Sequence, residues 1–334
     1  MDKKDKNILV IGNGFDIYHG LKTGYYDFIK YAEKGKYKDN IFIKHFSSVT
    51  DENDGWIDCE NELEYLVNLF QSFLNFTLAG GSRTVTNIQI SYYDLEILKS
   101  FDFVNNRSGH LMVSEEISLS KGRIDKRLFV NMIRKQLDTL IDVFRTYLKT
   151  VVILKDIKIR SKQFLDIKFE YVVNFNYTDT CKLYDVDYND IFYVHGSIKD
   201  ENMVLGIKDS DDDDELDFVY FKKYFQRIQK HTGMMNRIKF APANTPGKHT
   251  DGTYYYEETV VYFFGHSLSN TDGYIIRDIE ALTGKMVIYF YNQEDYENKV
   301  VNIISVFGKK RALELFDNKK ITFMELDIGI EHKD

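Results

Sequence analysis

Four short segments collect side chains able to do chemistry: Gly12-Asn13-Gly14-Phe15-Asp16, Asn174-Phe175-Asn176-Tyr177, His195-Gly196, and Gly265-His266-Ser267-Leu268 followed by Asp272. Histidine transfers protons near neutral pH, side-chain amides both donate and accept hydrogen bonds, and glycine lets backbone N–H groups come close to an anion. Each segment follows an apolar, β-prone run. Each is therefore expected at the C-terminal end of a strand, where open parallel sheets bind ligands.

Gly12-Asn13-Gly14 suits a turn that approaches phosphate. It lacks the third glycine of the dinucleotide fingerprint, and no well-placed ribose-binding acid stands about twenty residues on, which disfavours a standard dehydrogenase. Asp16 either caps the following segment or faces a ligand, and Asn13 is placed to orient a ribose or nicotinamide group. Asn174 and Asn176 interrupt an apolar strand and alternate onto one face, so they serve either a ligand or a turn. His195 ends a strand and is a candidate general base. In the last segment the backbone N–H groups and Ser267 are candidates for phosphate or ribose hydroxyls, while Asp272 is a candidate cap for a helix starting near Gly273. His266 is open to either reading. None of the eight histidines falls into an HxxxH or HExxH spacing, so no metal is expected.

The elements that must position these residues are legible from periodicity. Asn7–Ile11 is an apolar run without alternation, the signature of a strand covered on both faces. Leu21, Tyr25, Phe28, Ile29 and Ala32 then recur at helical spacing, with Thr23 as candidate N-cap. From 36 to 150 the pattern is mainly helical. Leu63 to Leu74 forms one stripe behind Asp58 and Glu60, Phe129 to Leu148 forms a long second one, and Asn105 to Gly109 reads as a loop. Strand patterns return at 169–173, 191–194, 203–207, 259–264, 286–291 and 321–324, with helices predicted over 274–282 and 296–307. The expected fold is α/β: a Rossmann-like, mostly parallel sheet with helices on both faces, its core formed by 1–35 and 151–334, and 36–150 a helical insertion in the same domain.

With 334 residues and 43% hydrophobic content the chain is long enough for a large core. Two cysteines, Cys59 and Cys181, exclude a disulfide framework and fit a reducing cytoplasm, the charged start predicts no signal peptide or membrane span, and the Lys-, Ile- and Asn-rich composition predicts a bacterial source. A formal charge of −8 argues against a general nucleic-acid coat. The acidic run Asp209 to Glu215 reads as a solvated loop, and the basic residues Lys222, Lys223, Arg227, Lys230, Arg237 and Lys239 as a stretch able to approach phosphates, with a plain surface helix ranked above a nucleic-acid site. Two prolines amid abundant Lys, Ile, Asn, Tyr and Phe fit an AT-rich genome.

The run Ile8 to Asp16 with Gly20-Leu21, together with Trp56-Ile57-Asp58-Cys59-Glu60, Asn176-Tyr177, His195-Gly196 and Gly265 to Leu268, resembles the AbiH family of bacteriophage abortive-infection proteins. That family is in turn similar to the sirtuin-like superfamily. The resemblance implies a sirtuin-like fold in which Gly12 and Gly14 form a phosphate turn, Asn176 is the catalytic asparagine, His195 the catalytic histidine, and Gly265 with Ser267 a ribose and phosphate loop. The zinc-binding cysteines of protein-deacylating sirtuins are missing and Asp16 stands near where those enzymes carry serine, so the nearer comparison is with defence proteins that hydrolyse NAD. The expected activity is hydrolysis of NAD, as substrate, at the nicotinamide–ribose bond, with Asn176, His195 and Asp16 catalytic. Gly12, Asn13, Gly14, Phe15, Asn174, Gly265, His266, Ser267 and Asp272 would hold the nucleotide. The alternative is a non-catalytic module that senses NAD or ADP-ribose and controls a partner or a homo-oligomer. A phage-derived trigger and regulated assembly are further expectations. A nuclease would need clustered carboxylates for metal ions, and the acidic run is too irregular for that.

Overall fold

The computed structural model describes residues 6–52, 58–78, 82–119, 123–153, 157, 161–187, 190–208, 216–233, 246–248, 254–256 and 259–327. Trp56, Ile57, the acidic run 209–215, Arg237 and Lys239 lie outside them. The chain divides into two units, Met1–Gly24 with Leu148–Val204 and Arg227–Asp334, and Tyr25–Tyr147 with Leu205–Gln226.

The first unit is built on six strands: β1 (Lys6–Ile11), β2 (Tyr171–Asn174), β3 (Ile191–Tyr193), β4 (Thr259–Phe264), β5 (Lys285–Phe290) and β6 (Ile321–Glu325). All pair in parallel, in the order β3-β2-β1-β4-β5-β6. This is the order of the doubly wound dinucleotide-binding sheets, whose ligand crevice lies where the order reverses, here between β1 and β4. Ile8 and Val10 enter one core with Ile275 and Ile279 of the helix Gly273–Leu282 and Ile303 and Val306 of the helix Gln293–Asp317. Leu9 and Ile11 enter the other, with Phe15 of the short helix Asn13–Tyr18, Phe164 and Cys181. Burial on both faces explains the uninterrupted apolar run, each aliphatic side chain contributing about 1.5–3 kcal/mol.

Segment 203–207, expected as a strand, joins no sheet. The N–H of Val204 donates to the carbonyl of His195, and Leu205 exchanges both backbone bonds with the side-chain amide of Gln226, which leaves no ladder to form. Thr23 is not an N-cap. Its hydroxyl donates to Asn13 Oδ1 at 2.8 Å, and the helix starts at Tyr25.

In the second unit the helix Cys59–Leu74 carries the expected Asp58 cap, which accepts from the N–H groups of Glu60 and Asn61. The amphipathic helix Lys126–Val151 presents Phe129 to a ring cluster of Phe70, Phe73 and Phe103. Asn105 to Gly109, expected as a loop, lies in a hairpin of Val104–Arg107 and His110–Val113. Ser108 and Gly109 both take positive φ, the two-residue turn that matches strand twist. Among the described residues no helix is long and apolar enough to cross a membrane.

Candidate functional site

The loops that leave β1 and β4 interlock. Gly12 donates its N–H to the carbonyl of Phe264 (3.2 Å) and Gly14 to that of Gly265 (2.9 Å). A Cβ at residue 12 would lie 2.8 Å from the Gly265 oxygen, at residue 14 it would lie 2.8 Å from Gly265 Cα, and at residue 265 only 1.9 Å from Phe15 N. Gly265 also has φ +66°. The glycines expected to admit phosphate are thus required for loop-to-loop contact, and their N–H groups are bonded to carbonyls. Phe15 is fully buried, its ring 4.9 Å from that of Phe264. It anchors the core rather than a ligand.

Below this lock lies a buried polar cluster. β2 ends at Asn174, whose Oδ1 accepts the N–H of Asn176 (2.8 Å) and whose Nδ2 donates to the Thr178 carbonyl (2.8 Å). That is a turn-forming asparagine with its amide fully engaged. Asn176 is turned the other way, donating from Nδ2 to the Gly12 carbonyl at 2.9 Å. Asp16 does not cap. It is 1% exposed, accepts from the Thr178 hydroxyl on Oδ2 (2.7 Å) and, among the described residues, has no hydrogen-bond partner on Oδ1. Burial pushes its carboxyl up to about 6, against the opposing pull of the Thr178 hydroxyl and of the nearby polar side chains of Thr180, Asn176 and Thr23. A carboxyl so placed exchanges its proton near neutral pH.

His195, 5% exposed, follows β3 and carries Nε2 3.1 Å from Asp272 Oδ1, an ion-pair distance at which the two are not aligned as a hydrogen bond. Asp272 precedes the helix Gly273–Leu282 and was expected to cap it, but its side chain makes no capping hydrogen bond. It lies against the imidazole instead. A carboxylate at that distance stabilises the imidazolium that forms when the ring accepts a proton. Phe175 bridges the two histidines edge-on, 5.7 Å from His195 and 4.2 Å from His266 between ring centroids. Nδ1 of His266 accepts the N–H of Leu268 at 2.9 Å, holding Leu268 at φ +60°, so this histidine shapes its loop.

The structure therefore gathers Gly12, Gly14, Gly265 and His266 in one contact, Asp16 with Asn176 in a second, and His195 with Asp272 in a third. Asn13 is exposed and bonded to Thr23, and Ser267 is exposed with its carbonyl bonded to Asn302. Sequence reasoning missed Thr178 and Thr180, which continue the polar alternation of Asn174 and Asn176. It also missed the buried Arg227 stacked on Tyr274, where a cation within an apolar stretch was the available signal.

No curated protein and no solved structure matches the chain. The model of the family described as "Bacteriophage abortive infection AbiH" matches residues 8–292. With the match running from β1 through β5, the chain belongs to the AbiH family of bacteriophage abortive-infection proteins.

Proposed function

We propose that this protein acts in abortive infection by cleaving the nicotinamide–ribose bond of NAD with water. The reading is carried by the His195–Asp272 pair at the C-terminal edge of a sheet ordered β3-β2-β1-β4-β5-β6. In the reaction the bond from C1′ to the pyridinium nitrogen breaks and its electron pair leaves with neutral nicotinamide. Water then bonds to the oxocarbenium-like C1′ and its surplus proton passes to His195, giving ADP-ribose. Asp272 stabilises the cationic form of the imidazole. Asn176 positions the ribose or the water, and Asp16, when ionised, offsets the positive charge developing at the sugar.

The test is to incubate purified protein with NAD, with and without phage material, and to follow free nicotinamide and ADP-ribose. His195→Ala is expected to lose about a hundredfold or more of the rate while melting like the wild type. Asn176→Ala should lose most activity too, with its fold checked the same way because its amide holds Gly12. NAD binding without any nicotinamide release under every condition would refute hydrolysis and leave sensing of NAD or ADP-ribose.

A further inference from the structure

Strand β6 ends the sheet, with β5 as its neighbour on one side. The N–H of Met286 donates to the carbonyl of Lys320, and that of Leu326 to the carbonyl of Phe290. Even-numbered residues of β6 therefore bond to β5, and the backbone groups of Ile321, Phe323 and Glu325 point away from the sheet. From Glu325 onward a side chain finishes this edge: Gln163 donates from Nε2 to the Glu325 carbonyl at 3.0 Å and accepts the Asp327 N–H on Oε1 at 3.1 Å. Among the described residues nothing does the same for Ile321 and Phe323. The opposite edge differs, since β3 has three residues and all are buried. Exposed edges are usually guarded by a proline, a bulge or a charge within the strand, because their N–H and C=O groups template another chain. Ile321-Thr322-Phe323-Met324 carries none of these, and its register with β5 runs unbroken.

The flank of this edge is apolar. Tyr296 lies on Phe323 with ring centroids 4.8 Å apart, which places the Tyr296 face of the helix Gln293–Asp317 over β6. Val300, Ile304 and Phe307 follow Tyr296 on that face at helical spacing, and Ile304 is 43% exposed. The two ends of the strand carry opposite charge. Lys319 before it and Glu325 at its close are both exposed, and neither has an ion pair among the described residues. A strand turned end for end by a two-fold axis thus meets its own opposite charges. With the axis at Thr322, Ile321 of each copy exchanges both backbone bonds with Phe323 of the other, and Lys319 stands opposite Glu325. An axis at Phe323 would instead call on the Glu325 carbonyl, which Gln163 already holds.

We propose that β6 pairs antiparallel with β6 of a second copy of this chain about a two-fold axis at Thr322, joining the two sheets into one. Sedimentation equilibrium of the full chain reads this association directly and is independent of any reaction with NAD. The wild type should run as a dimer. Glu325→Lys sets like charges opposite each other on both sides of the axis and should weaken association about tenfold. Lys319→Glu combined with Glu325→Lys restores opposite charges and should bring it back to within about threefold of the wild type. Thr322 meets its own counterpart in a non-hydrogen-bonded pair, close enough for a disulfide, so Thr322→Cys should cross-link two chains under mild oxidation while Met324→Cys does not. Cys59 and Cys181 are buried and do not compete. A chain that stays monomeric at every soluble concentration would overturn the proposal, as would one whose edge takes up a strand of a phage protein in place of its own copy. A dimer that the double charge swap fails to rescue, or that does not cross-link at position 322, would place the interface elsewhere and overturn it too. Should Glu325→Lys melt early, the double variant and the cross-link decide.

Discussion

Replacing Asp16 by asparagine tests the buried carboxyl directly. The group has a folded value of about 6 against an ordinary 3.8, with burial as the largest cause. The folded state therefore holds this proton more tightly than the unfolded state. By linkage, the contribution to stability is greatest below about pH 4 and is lost as pH rises through about 6. At about 1.4 kcal/mol per pH unit, the gap between the two values amounts to about 3 kcal/mol, the cost of ionising a carboxyl that is 1% exposed. Asparagine has nearly the same shape, can accept the Thr178 hydroxyl on its Oδ1, and does not titrate. Urea denaturation followed by circular dichroism between pH 4 and 8 should show Asp16→Asn gaining on the wild type by about 3 kcal/mol across that range, in the transition of the sheet unit. Parallel pH curves for the two proteins would refute the reasoning, because they would mean that Asp16 titrates alike in both states. A variant that is more stable yet less active at pH 7.5 would identify the negative charge as the property retained for function.

Asp272→Asn leaves the His195 ring in place but removes the charge that stabilises its protonated form. Nicotinamide release should drop by about a hundredfold or more with melting unchanged, and a rate near that of the wild type would remove Asp272 from the reaction. Gly265→Ala forces a Cβ into the backbone of residues 14 and 15 at a positive φ, so thermal melting should show a loss on the order of 3 kcal/mol or more, and a neutral outcome would contradict the interlocked loops. Asn174→Ala strips partners from the Asn176 N–H and the Thr178 carbonyl, and denaturation should register about 2–4 kcal/mol. Asp58→Ala should cost the second unit about 1 kcal/mol by removing its cap, measured the same way.

The sheet was readable because parallel strands announce themselves locally. Asn7–Ile11 and Thr259–Phe264 need no knowledge of their neighbours to be recognised as doubly covered strands. The strand expected at 203–207 failed for the opposite reason: Met203, Val204, Leu205 and Ile207 are as apolar as any core strand, but the backbone of Val204 bonds to His195, that of Leu205 to the side chain of Gln226, and that of Ile207 to Phe221 and Lys223. The same limit governed the site. Periodicity placed Asn176, His195 and Asp272 at element ends, yet it gave no means of telling a cap from a histidine partner at Asp272, or a ligand amide from a turn at Asn174. Those distinctions depend on which groups meet across more than seventy residues of chain, as His195 and Asp272 do. Gly12 and Gly14 were noticed for their type, but the reason for it, contact with Gly265, lies some 250 positions away.

That separation has a consequence for how the protein comes into being. β1 leaves the ribosome before the other five strands of its sheet, and the register that completes its open side, from Lys6 opposite Thr259 to Ile11 opposite Phe264, arrives about 250 residues later. At bacterial synthesis rates the wait is roughly 15 to 50 s. Throughout that interval the Gly12–Gly14 loop has nothing to lock against and His195 has no Asp272. A growing chain, or one cut short before β4, cannot bring the Gly12–Gly14 loop against Gly265 or His195 against Asp272, so the candidate site stays unassembled until β4 and the loop that follows it have been made.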